Sequence, residues 1–131
     1  MRFTALNLVA VAAGGAMGAV DRYCLSSVLY RHFGSGFPYG TVGVNVLGSL
    51  LMGVVFVCVV ERPMSDAWRL ALSVGLLGAF TTFSTFSLDT LMLIETGEIS
   101  RALLNVVASV VLCLAAVFAG VWLARTVLPA G

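Results

Sequence analysis

The chain contains no lysine, so all seven of its Lys/Arg positions are arginine. Charged residues make up 10% of its 131 positions, against roughly 25% in soluble chains, too few to clothe a water-facing surface. One histidine, His32, stands between predicted elements and cannot assemble a histidine metal site by itself. Three cysteines, Cys24, Cys58 and Cys113, show no CxxC spacing and read as small packing residues, not as a disulfide framework. No nucleotide-binding loop occurs, and no acid is expected at the middle of a membrane span, so nothing points to an enzyme or to an energised pump. With a net charge of +1, no nucleic-acid partner is expected either.

What is present is apolar sequence. Hydrophobic residues account for 60% of the chain and the mean hydropathy is +1.08. The charges bunch between long uncharged runs, each able to cross about 30 Å of hydrocarbon as a helix. The expected fold is an all-α membrane protein with one domain of four spans over 1–131, at about 3–30, 38–60, 67–94 and 102–125. The breaks carry turn and charge signals at Arg31–Gly36, Glu61–Asp66 and Glu95–Glu98. Tyr39 and Trp68, near span ends, suit interfacial anchoring. A cleaved signal peptide is not expected, because the first apolar run continues through Gly18 to Asp21 and Arg22 without a short core and cleavage site. Asp21 and Arg22 have two readings, mutual neutralisation near a membrane face or an Arg22 that draws anions toward a vestibule.

Four spans put Arg2, Arg62, Arg69 and Arg125 on one side and Arg31 and Arg101 on the other, with Arg22 nearer the second. A bias this slight allows insertion both ways up, from which an antiparallel homodimer can be built. It equally allows one orientation to win by a small margin. Gly14, Gly15 and Gly18 form a small-residue face on the first span, and Gly40, Gly43, Gly48 and Gly53 another on the second; both are expected to serve packing.

The third span holds the densest chemistry. Gly78 through Ser87 reads GAFTTFSTFS, a run of hydroxyls and rings inside a membrane segment. Hydrocarbon offers no water to such groups, so they must face other helices or line a path for something polar. Gly75 and Gly78 precede the run and tolerate a backbone that leaves helical geometry, where exposed carbonyls suit a hard cation such as sodium. Phe80, Phe83 and Phe86 recur every three residues along one drifting side, with Thr81, Thr82, Ser84 and Thr85 interleaved. Phenyl edges carry partial positive charge and can meet a small anion. Asn45, in the second span, offers an amide NH2 as donor, and Asn105, Ser109 and Cys113 share one face of the fourth span.

These segments together resemble the Fluc (CrcB) family of fluoride channels. The resemblance rests on Gly14-Gly15-Ala16-Met17-Gly18-Ala19-Val20-Asp21-Arg22-Tyr23, on Gly40-Thr41-Val42-Gly43-Val44-Asn45-Val46-Leu47-Gly48, and above all on the hexad Thr81-Thr82-Phe83-Ser84-Thr85-Phe86. It implies a dual-topology antiparallel homodimer in the bacterial cytoplasmic membrane that passes fluoride passively out of the cell. A structural sodium ion would be held at the dimer centre by the Gly78 and Thr81 carbonyls of a broken third helix. It also implies a fluoride path of Asn45, Phe83, Phe86, Ser84, Thr85, Asn105 and Ser109, with Arg22 and Asp89 near the vestibule. The rival from another class is a small four-helix proton-coupled exporter, which needs a membrane-embedded carboxylate in its first helix; none precedes Asp21.

Overall fold

The computed structural model describes residues 4–61 and 63–128, so Arg2 and Arg62 of the charge argument lie outside the described residues. The chain forms α1 (Ala5–Phe33), α2 (Tyr39–Val60), α3 (Asp66–Leu70), a π-helical segment (Ala71–Leu77), α4 (Gly78–Phe80), α5 (Phe83–Glu95) and α6 (Ile99–Val127). The stretch Asp66–Glu95 acts as one span, giving four helical units long and apolar enough to cross a membrane. The protein is therefore an integral, multi-pass, all-helical membrane protein.

Local chemistry sets the ends. Thr4 caps α1 by accepting the Asn7 N–H at 3.2 Å, and Ser65 caps α3 from its side chain. Gly34 (φ 81°) and Gly97 (φ 78°) terminate helices in the left-handed region that favours glycine. Nothing before Gly34 breaks the helix, so Arg31, His32 and Phe33 form the last turn of α1, where the sequence suggested a loop. The same logic starts α6 at Ile99, directly after the Gly97 turn.

The packing is close where the glycines fall. A side chain on Gly14 or Gly18 would strike the carbonyls of Ala71 and Leu76 in the π-helical segment, and one on Gly75 would sit 2.8 Å from the Val11 carbonyl oxygen. Gly53 and Gly120 do the same between α2 and α6, the most extensive helix pair. Gly40 and Gly43 seat Tyr30 and Leu29 of α1, whereas Gly15 has only an ordinary 4.0 Å neighbour. The packing role expected for these faces therefore holds within one subunit, with Gly15 set apart.

Two expectations change. Gly78 is helical (φ −65°, ψ −34°) and Gly75 serves packing, so neither lends conformational freedom to the break. The chain leaves the helix at Thr81 (φ −82°, ψ 158°) and Thr82 (φ −151°, ψ 112°), extended values open to any residue. Second, Asp21 and Arg22 occupy the middle third of α1, so an acid stands midway along a candidate span, where none was expected. The two make no ion pair with each other among the described residues, and they line different cavities.

Candidate functional site

The break in the third span is held by Asn45. The Thr82 N–H donates to Asn45 Oδ1 at 2.7 Å, and Asn45 Nδ2 donates to the Thr82 carbonyl at 2.9 Å. An amide is the side chain that can satisfy both a bare N–H and a bare C=O, and an unsatisfied backbone group in hydrocarbon costs several kcal/mol. Asn45 therefore closes the gap that the extended residues open. Its second amide hydrogen has no partner among the described residues, and Asn45 also lines a cavity of about 500 Å³.

Thr82 is the hub on the other side. Its hydroxyl accepts the Thr85 N–H at 3.2 Å, capping α5, donates to Thr85 Oγ1 at 2.9 Å and shares a hydrogen bond with the Ser84 hydroxyl at 3.3 Å. Ser84 and Thr85 are exposed on the chain's surface at this depth, as is Phe83 at 78%. The two caps have a further effect. In an unbroken helix the Thr82 and Thr85 N–H groups would go to the carbonyls of Gly78 and Thr81. Here they go to Asn45 Oδ1 and Thr82 Oγ1, which frees both carbonyls from their helical donors.

Phe83 and Phe86 sit with ring centroids 5.2 Å apart and planes tilted by 43°, both lining the 500 Å³ cavity with Asn45, Ser109 and Cys113. Phe80 does not continue this stripe. The break separates it from Phe83, so that Phe80 is buried against Gly48 and lines a different cavity with Asp21.

The fourth-span face is wired to α5. Asn105, fully buried, donates from Nδ2 to Thr90 Oγ1 at 2.9 Å and accepts from the Ser109 hydroxyl at 3.4 Å. Thr90 in turn donates to the Phe86 carbonyl at 2.8 Å. Asp89 is anchored by the buried Thr41, whose hydroxyl donates to Oδ2 at 2.5 Å, with the Tyr30 hydroxyl 3.3 Å from Thr41. Asp89 also lines a cavity of about 340 Å³ with Tyr30, Glu98 and Arg101. Arg22 shares a third cavity, about 270 Å³, with Thr41, Thr82 and Thr85, which puts its charge beside the hydroxyl hub.

The structure thus gathers Asn45, Phe83, Phe86 and Ser109 around one cavity, places Ser84 and Thr85 on the hub beside it, and reaches Asn105 through Ser109. Arg22 and Asp89 stand in neighbouring cavities. Thr82 was read only as one hydroxyl of the run, and Thr90, Thr41 and Tyr30 were not foreseen as participants. Thr41 was detectable, since it precedes Asn45 by one turn, the spacing that joined Asn105, Ser109 and Cys113. Among the described residues no group of three or more His, Cys, Asp and Glu side chains could hold a metal ion.

Comparison with known proteins adds the decisive observation. Residues 9–121 match the family described as CrcB-like protein, Camphor Resistance (CrcB). The chain belongs to the CrcB family. CrcB relatives include a protein of Methylococcus capsulatus (strain Bath), 53% identical over 121 residues that cover 92% of this chain and 53% of the relative. One from Shewanella amazonensis is 48% identical over 114 residues, 87% of this chain and 92% of the relative. One from Magnetococcus marinus is 48% identical over 123 residues, 93% and 100%. The chain therefore spans about half the length of the Methylococcus relative and nearly all of the other two. All three carry the name fluoride-specific ion channel FluC, which describes transporters and not enzymes.

Proposed function

We propose that this CrcB-family chain is a fluoride-selective passive channel, working as an antiparallel dual-topology homodimer in the bacterial cytoplasmic membrane and letting fluoride leave the cell down its gradient. The observation that carries the reading is the cavity beside the break, lined by an amide, hydroxyl side chains and two phenyl rings and by no carboxylate among the described residues. A small, strongly hydrated anion loses its water shell only if donors replace it, and N–H, O–H and ring-edge groups in line are such donors. The names borne by the relatives support the same ligand.

Dimerisation is supported by the exposure of Ser84, Thr85 and Phe83 at the depth of the break, because hydroxyls facing lipid are costly and a second copy would cover them. The released Gly78 and Thr81 carbonyls fit a sodium ion: hard, uncharged oxygens that have lost their helical donors. Gly78 is surface-exposed, so the same carbonyls of a second subunit could complete the ligand set. The ion would supply a fixed positive charge that ties the two broken helices together.

The test is fluoride efflux from liposomes containing the purified protein, read with an ion-selective electrode, with chloride as comparison and a potassium ionophore to release the voltage. Rapid fluoride efflux without chloride efflux is expected; silence from a folded dimer would sink the reading. One observation favours the proton-coupled rival, the mid-span Asp21 lining an apolar cavity of about 440 Å³. The same liposomes separate the two, since efflux through a channel proceeds without an imposed proton gradient and survives Asp21→Asn.

A further inference from the structure

Many hydroxyls in these spans find a partner on their own helix. Ser73 donates to the Arg69 carbonyl at 2.6 Å, Thr81 to Leu77 at 3.0 Å, Ser87 to Phe83 at 2.9 Å and Thr90 to Phe86 at 2.8 Å. Such bonds are the cheapest way to carry a hydroxyl in hydrocarbon. Ser49 departs from the pattern. It sits one helical turn after Asn45 on α2, yet makes no hydrogen bond to the Asn45 carbonyl or to any other described residue. It is half-buried, and it lines the 500 Å³ cavity with Asn45, Phe83, Phe86 and Ser109. An unbonded hydroxyl at this depth is expensive unless the contents of the cavity complete it. Thr41, Asn45 and Ser49 follow one another at i, i+4 and i+8, so they climb one face of α2. Asn45 and Ser49 of that face share the cavity with Ser109 and Cys113 of α6.

We propose that Ser49 is a further anion contact and selectivity-determining residue of the pathway, receiving fluoride from Asn45 and the phenyl edges one turn farther along α2. The proposal rests on the fluoride-channel reading. An O–H donor to an anion is a charge-assisted bond, stronger than a neutral one, and it favours the small ion whose charge is most concentrated.

Ser49→Ala is expected to lower fluoride efflux from liposomes about ten-fold, the effect of losing one charge-assisted hydrogen bond, and to shrink the fluoride-to-chloride ratio. Ser49→Thr, which keeps the hydroxyl, should conduct near the parent rate, whereas Ser49→Val, the same shape without it, should behave as the alanine variant. The Thr/Val pair keeps the test open if Ser49→Ala fails to fold. Ser27 also lacks a hydrogen bond among the described residues but does not line this cavity, so Ser27→Ala should leave both readings unchanged. Equal efflux and equal selectivity in Ser49→Thr and Ser49→Val overturn the proposal while the parent protein still conducts fluoride. A parent protein that does not conduct fluoride fails the channel reading itself, and the role of Ser49 falls with it.

Discussion

Asn45 carries two duties that conflict in most settings: it is a structural clamp and it borders the cavity assigned to the anion. Two of its polar functions are spent on Thr82 at 2.7 and 2.9 Å, which leaves one amide hydrogen for an ion. Asn45→Ala therefore removes a donor and uncovers a buried N–H and C=O together. The expected cost is about 1–3 kcal/mol of stability for each group left bare, read as a lower thermal midpoint of the protein in detergent, together with loss of fluoride efflux. A variant that stops conducting at an unchanged midpoint would show that Thr82 does not need the clamp. Phe83 and Phe86 separate these duties. Their rings touch each other and the cavity but bond no backbone group, so Phe83→Ile and Phe86→Ile should leave a folded protein whose fluoride flux is lost. Unchanged flux in both would count against ring edges as ligands.

Among the elements, α1 approaches the backbone of the third span closely just before the break. Gly14 and Gly18 meet the Ala71 and Leu76 carbonyls where no Cβ fits, while Gly15 beside them has space. Gly14→Ala should thus destabilise the protein by about 1–3 kcal/mol through overpacking against immovable backbone, and Gly15→Ala should be close to neutral. Thermal unfolding of the two variants in the same detergent checks the contrast; equal midpoints would refute it. The spans were legible in the sequence because uncharged length alone dictates a membrane helix, and their ends moved by more than two residues only where a breaker, Gly34 or Gly97, overruled the charge pattern. Asn45, Phe83, Phe86 and Ser109 were legible because a polar group in hydrocarbon is conspicuous. Which residues break the helix was not, since Thr81 and Thr82 adopt extended angles that no residue type announces, and the cause, an amide on α2, is remote in sequence. Nor was the π-helical turn at Ala71–Leu77, which lies where α1 packs against the third span without side chains between them. Phe80 misled for the same reason: a three-residue repeat implies one stripe only while the helix is continuous.

For the whole molecule, the break and the charges pose linked questions about a second copy. If the Gly78 and Thr81 carbonyls hold sodium between subunits, exchanging sodium for a bulky organic cation on both sides of the membrane should slow or abolish fluoride efflux, and the loss should reverse when sodium returns; flux indifferent to the exchange would dismiss the ion. Orientation is subtler. Of the described arginines near span ends, Arg69 and Arg125 lie at one end and Arg31 and Arg101 at the other, and three of the four are paired, to Asp66, Glu61 and Glu98. By arginine count the directing bias is slight, with Arg2 and Arg62 adding to the first end by sequence. A chain so poised needs only a few added charges to insert one way. Two lysines added in the Ser35–Gly36 loop should force one orientation, and two added beside Pro63 the other. If the channel is antiparallel, each biased chain alone is expected to lose fluoride efflux, because the partner of opposite orientation is missing. Expressing the two together should restore it. Full efflux from either biased chain by itself would show that both subunits face the same way, and would leave the slight arginine bias without a role in assembly.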